Sequence, residues 1–193
     1  MLRSEWTVDP ADVPDRALEE VGNEISLPFV YDPVGQPRNR IRLAVTVEGL
    51  EQIATLRSLF YALAGCWSVI WVPSKAQDLR IIANVSNGAT TLDVAYIGLG
   101  DTPLVDNRRD IRIALFNGTT VYRRITGVTS PAPGVERLAL DSAIATGFQA
   151  SSVAQIAFLQ LCRQEADTNL LTYWRHDVVR TTLEFRGEAH HGL

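Results

Sequence analysis

The side chains able to do chemistry are few and scattered. The chain has three histidines, His176, His190 and His191. The last two form a pair that can bind a metal, but they sit at the end of the chain, a poor place for a preorganised site. His176 lies in "YWRHD" and reads as a surface residue at a strand end or turn. Cys66 and Cys162 are far apart and belong to no C-x-x-C pair, so each reads as a small apolar core residue. Nucleophilic catalysis needs a base beside the nucleophile and a third group to orient it. No G-x-S-x-G elbow is present, and neither cysteine has a histidine near it in sequence. The stretch "GLGDTPLVDNRRD" brings Asp101, Asp106 and Asp110 within ten residues, but it has neither dinucleotide-binding nor calcium-loop spacing and reads as a polar loop. The expectation is no catalytic residue, no metal and no cofactor.

Arginine usage says more. Of 18 basic residues only Lys75 is a lysine. Arginine forms planar two-pronged bonds and stacks on aromatic rings, which suits protein interfaces, although genomic base composition explains the same bias. The pairs Arg108-Arg109 and Arg123-Arg124 are therefore candidate subunit-interface residues. Arg112 and Arg124 are expected on a sheet surface near Asp110 or Glu136.

These side chains must be positioned by a chain of 193 residues with 46% hydrophobic and 21% charged residues, enough for a sizeable core without disulfides. The net charge of −4 disfavours a nucleic-acid reader, because affinity for phosphates usually rests on basic surface. No apolar run approaches the roughly 18 residues of a membrane helix. The first residues, "MLRSEWTVDPADVPDRALEEV", are acidic and lack an apolar signal-peptide region, which points to a reducing cytoplasm where a disulfide is not expected.

Residues 1–39 differ from the rest. Pro10, Pro14, Pro28, Pro33 and Pro37 fall here, five of nine prolines, and disfavour a long helix or a central strand. A short helical turn around "DRALEEV" is compatible with the pattern. Trp6, Leu27, Phe29, Val30 and Tyr31 still need burial, so this stretch reads as an extended arm lying on its own body or on a neighbouring subunit. Trp6, Phe29 and Tyr31 join the candidate interface residues.

Residues 40–193 read as a β-rich body. Ile41, Leu43, Val45 and Val47 alternate with polar or small residues, the period of a half-buried strand. After Gly49 the period changes, and Leu50, Ile53, Leu56, Phe60 and Leu63 predict one principal helix over about 50–64, stopped by Gly65. Strands follow in "WSVIWVP", "DLRIIANV", "TTLDVAYI", "VERLALDS", "NLLTYWRH" and "VVRTTLEFR"; the spacing of "VAQIAFLQLCRQEAD" fits a strand or a short helix, with strand favoured for Ile156 to Arg163. Asn87-Gly88 and Asn117-Gly118 are turn dipeptides, the second inside the best-specified hairpin, "RDIRIALFNGTTVYRRITGV". Phe60 and Trp71 are assigned to the core. The fold class is mainly β: an antiparallel sandwich or barrel with one helix and an extended N-terminal arm.

In order and texture, several segments resemble minor tail and baseplate proteins of long-tailed bacteriophages. They run through "DPVGQPRNRIRLAVTVEG", a helix, "WSVIWVPSKAQDLRI", "VYRRIT", "ERLALDSAI", "IAFLQLCRQEADTNL" and "VVRTTLEFR". The similarity covers roughly residues 30–186, and Lys75 and Ala76 depart from it where a bulkier, aromatic-rich stretch is expected. The resemblance implies a structural component of the virion tail tip, in the distal tail or baseplate hub region, made in the bacterial cytoplasm. Its partners would be further copies of itself in a ring and other tail proteins, with no membrane and no specific nucleic-acid partner. It carries no catalytic residues over. Two other classes stand beside it. A ligand- or carbohydrate-binding β-barrel or sandwich would use Trp67, Trp71 and Trp174. A hydrolase assembled from distant parts of the chain would depend on His176.

Overall fold

A computed structural model describes residues 11–15, 19–21, 29–31, 38–104 and 108–188. The expected class is the one observed: mainly β, antiparallel, with one α-helix. The chain separates into two compact units, one from the described residues of 1–70 and 161–193, the other from 71–160. It passes between them inside two strands, β5 (Val69–Pro73) and β10 (Val153–Gln164).

The first unit is built on β4 (Arg38–Glu48) and β12 (Val178–Gly187), antiparallel and in register from Val178 opposite Glu48 to Arg186 opposite Arg40. That register places Val47 opposite Val179, Val45 opposite Thr181, Leu43 opposite Leu183 and Ile41 opposite Phe185. All eight are buried, so period-2 alternation on both strands creates one continuous inner face. β1 (Ala11–Asp15) pairs with β4 from Ala11 opposite Arg42 to Asp15 opposite Arg38. Part of the expected arm is thus an edge strand of this sheet, the position in a sheet where a proline such as Pro14 is tolerated. β2 (Glu19–Val21) and β3 (Phe29–Tyr31) form a separate two-stranded pairing, so Glu19–Val21 is extended rather than the helical turn the sequence allowed. β11 (Thr172–Arg175) flanks the other end of β12.

Helix α1 (Leu50–Leu63) follows β4 and packs against it. It buries Ile53, Leu56 and Leu63 as the spacing predicts, whereas Leu50, the first residue of the stripe, is exposed. The stop differs by one position from expectation. The left-handed residue is Ala64 (φ 47°), whose N–H bonds to Phe60 O, and Gly65 (φ 65°) continues the turn. Ser68 N–H then returns to Leu63 O, so the last helical carbonyls are satisfied before β5 begins.

The second unit follows the order β10, β7 (Asp110–Leu115), β8 (Thr120–Ala132), β9 (Val135–Leu140), β6 (Thr91–Ala95), all antiparallel. Its core joins Leu79, Leu92, Leu99, Ile111, Ile113, Ile125, Leu138, Ile144 and Ile156, with Phe148 and Phe158 among the half-buried residues packed against it. The hairpin turns at Asn117-Gly118 as expected, but only Gly118 takes the positive φ expected of the dipeptide, and Asn117 does not. Leu115 O accepts from Gly118 N–H, Asn117 Oδ1 accepts from Thr119 N–H, and Gly118 takes φ 86°.

"DLRIIANV" is not the regular strand the sequence predicts. It makes single bridges, Ile81 to Val94 and Val85 to Phe148. Ile82 N–H bonds to Asp93 O and Ala95 N–H to Arg80 O, so this segment lines the outer edge of β6. Two further assignments are corrected. Arg112, expected on a sheet surface, is buried beside its cross-strand neighbour Ala157. Trp71, expected in the core, is 39% exposed, because Val72, with the opposite parity on β5, takes the inner position.

Candidate interaction surface

The four interface arginines lie in or next to the β7–β8 hairpin, and three of them are tied into their own unit. Arg124 forms a two-pronged pair with Asp110 across the strands, Nε to Oδ1 at 2.8 Å and NH2 to Oδ2 at 3.1 Å. Its backbone N–H also bonds to Asp141. Arg109 caps Leu104 O through Nε and NH2. Arg123 bonds to the carbonyls of Tyr122 and Ala143. Arg108 is exposed in a turn preceding β7. Trp6 lies outside the described residues. Phe29 and Tyr31 are in β3, opposite Val21 and Glu19, and their side chains lie outside what is described.

A different set of residues presents apolar surface. In the first unit Tyr61 (85% exposed), Trp67 (82%), Leu170 (80%) and Trp174 (67%) extend into solvent. Arg57 NH2 donates to the Tyr173 hydroxyl at 2.7 Å and ties α1 to β11. Arg57 and Tyr61 are one helical turn apart on α1, so the exposed side of the helix adjoins the β11 aromatics. Leu50, seven residues before Arg57, continues that stripe. Single exposed apolar residues are ordinary on protein surfaces, whereas several large ones gathered on one side mark contact surfaces. The tryptophans named for a binding module divide accordingly: Trp67 and Trp174 are prominently exposed, and Trp71 is partly covered.

The chemical residues stay apart. His176 is exposed in the turn between β11 and β12; His190, His191 and Asp106 lie outside the described residues. Asp110 pairs with Arg124, and Asp101 accepts the Tyr96 hydroxyl. Cys162 is wholly buried and Cys66 half-buried, both as free thiols. Asp167 Oδ1 accepts the Cys66 N–H at 2.7 Å. A hydrogen bond to Asp167, ahead of desolvation, pushes the Cys66 thiol up from its ordinary value, away from the thiolate a nucleophile requires. Among the described residues no group of three or more His, Cys, Asp and Glu is placed to hold a metal ion.

One acid expected near the sheet-surface arginines is buried instead. Glu136 is fully buried, and its two carboxylate oxygens accept Gly100 N–H (2.9 Å) and Ile97 N–H (3.0 Å). It pins the loop after β6 to β9. The signal was its parity: the register that buries Leu138 and Leu140 also turns Glu136 inward.

No protein-family model and no curated protein matches this chain. No described helix is long and apolar enough to cross a membrane.

Proposed function

We propose that this chain is a structural component of a bacteriophage tail tip, in the distal tail or baseplate hub region. Copies assemble into a ring-like oligomer that connects the tail tube to the tip proteins, and the chain works in the virion without catalysis. The observation that carries this reading is the prominent exposure of four large apolar residues in the first unit, Tyr61, Trp67, Leu170 and Trp174. A closed ring of identical subunits is held by heterologous contacts between two different patches, and large aromatic residues dominate such contacts. The segment order from residue 30 to 186, similar to that of long-tailed phage tail proteins, supports the same conclusion.

The test is light scattering on the purified full-length chain, alone and with Trp67→Ser and Trp174→Ser. A multiple of the 21.3 kDa chain mass that shrinks in the variants supports the reading. A second reading, a carbohydrate-binding module, is favoured by the exposure of Trp67 and Trp174. Quenching of tryptophan fluorescence by a sugar, from a monomer, would select it instead.

A further inference from the structure

At the far end of the second unit the β8–β9 hairpin turns through Pro133 and Gly134, with proline and glycine at the two central positions of the turn. Its tip borders an open cleft of about 480 Å³ lined by Tyr96, Ser130, Pro131, Ala132, Pro133 and Gly134. Tyr96 is 47% exposed yet held at both ends. Its N–H bonds to Gly134 O at 3.0 Å, and its hydroxyl donates to Asp101. The loop carrying Asp101 is itself fixed by Glu136 through Ile97 and Gly100. The ring is therefore an immobilised, half-open aromatic face with apolar walls beside it.

The charged groups acting on the Tyr96 hydroxyl are both carboxylates, Asp101 first and Glu136 after it, and together they push the phenol above its ordinary value. Glu136 is buried with both oxygens occupied, so Asp101, which is exposed, is the carboxylate open to a ligand. Gly98 keeps the approach clear. A Cβ there would stand 3.3 Å from Asp101 Oδ2 and 3.8 Å from the Tyr96 hydroxyl. Asp101 does not line the cleft itself but stands at the hydroxyl end of the Tyr96 ring; an aromatic face with apolar flanks and a carboxylate at the far end of its ring suits a flat cation better than an anion or a neutral polyol.

We propose that the Tyr96–Asp101 cleft binds a guanidinium group, the side chain of an arginine presented by a partner protein. The guanidinium plane stacks on the Tyr96 ring, its N–H groups reach Asp101, and its methylene stem lies along Pro131 and Pro133. This site lies in the second unit, and it stands or falls independently of the tail-tip reading.

The experiment is a ¹⁵N NMR titration of the full-length chain with N-acetyl-arginine amide. The comparators are N-acetyl-citrulline amide, which keeps the shape and loses the charge, and methyl glucoside. Saturable shifts at Tyr96, Gly98 and Gly134 are expected, with citrulline and Asp101→Asn each weaker by at least about tenfold, as for loss of a charge-assisted bond. Asparagine retains an acceptor for the Tyr96 hydroxyl, and unchanged resonances elsewhere report that the variant is folded. The citrulline comparison needs no variant. The assignment is overturned by absent saturation, by equal binding of citrulline, by undiminished binding to folded Asp101→Asn, or by methyl glucoside binding at the same residues as tightly as arginine.

Discussion

Replacing Glu136 by glutamine removes one negative charge and almost no volume, and tests whether the second unit depends on a buried carboxylate. Two backbone donors converge on it, Gly100 at 2.9 Å and Ile97 at 3.0 Å, one to each oxygen. Glutamine has one carbonyl oxygen and one NH2 group, so one of those N–H donors then faces another donor. A hydrogen bond to a charged partner is worth about 1.5–3 kcal/mol, and a stranded buried donor costs about 1–3 kcal/mol more. Ile97 and Gly100 are themselves exposed and recover water on opening, so the lower part of that range applies, about 2–3 kcal/mol in total. In urea, with m of about 1–3 kcal/mol/M, the midpoint should fall by roughly 1 M at unchanged m. Amide exchange at Ile97 and Gly100 should accelerate in step. A loss below about 0.5 kcal/mol, or unchanged protection at both amides, would refute the claim that Glu136 anchors this loop.

Three further substitutions test other parts of the fold. Gly147→Ala should cost at least about 2 kcal/mol in thermal or urea unfolding, since its Cβ would stand 2.6 Å from Val85 O and 2.8 Å from Asn87 N, backbone atoms that cannot step aside; a near-neutral effect would contradict the close approach of these segments. Ala64→Gly should raise stability by up to about 1 kcal/mol by relieving a left-handed alanine at φ 47°, and a measured loss would place the strain elsewhere. Asp93 pairs with Arg137 through two bonds of 2.6 and 2.8 Å, and that arginine holds its carboxyl below the usual carboxylate range. Because the folded value is depressed, this contribution is present above the unfolded value, near pH 4, and is lost as pH falls through the folded one. Asp93→Asn should lower stability at neutral pH, leave the strongly acidic end nearly unchanged and so flatten the acid limb between them; an unaltered acid limb would remove the pair from the account.

The legible parts of this protein are those where one local period decides burial. Ile41 to Val47 and Val179 to Phe185 alternate, with Ala44 the one buried residue of the opposite parity, and the sheet they form follows from that alternation once the two strands pair. Asn117-Gly118 specifies its turn by local backbone chemistry alone. What escaped is set by packing from distant sequence. Arg112 alternates correctly with Ile111 and Ile113, so it was expected outward. Yet Ala157 opposite it is also wholly buried, and both faces of that part of the sheet are covered. Backbone bonds from Ser74 to Phe158 O and from Asp78 to Ile156 O bring residues 74–78 alongside β10 there, a long-range association that no local pattern announces. Trp71 was misplaced by parity, since a hydrophobic run of "WSVIWV" does not say which alternate set turns inward. "DLRIIANV" has strand composition but serves as an edge segment held by single bridges. For the interface the residue types were readable and their engagements were not. Arginines 109, 123 and 124 are bound within their own unit, while the prominently exposed aromatics are Tyr61, Trp67 and Trp174 of the other unit.

The most direct test of the central claim is sedimentation velocity of the full-length chain over a wide concentration range. Assembly into a ring predicts one discrete species at a fixed multiple of 21.3 kDa, with no ladder of intermediates, and Trp67→Ser should dissociate it. A single 21.3 kDa species at every concentration, unaltered by Trp67→Ser, would contradict it.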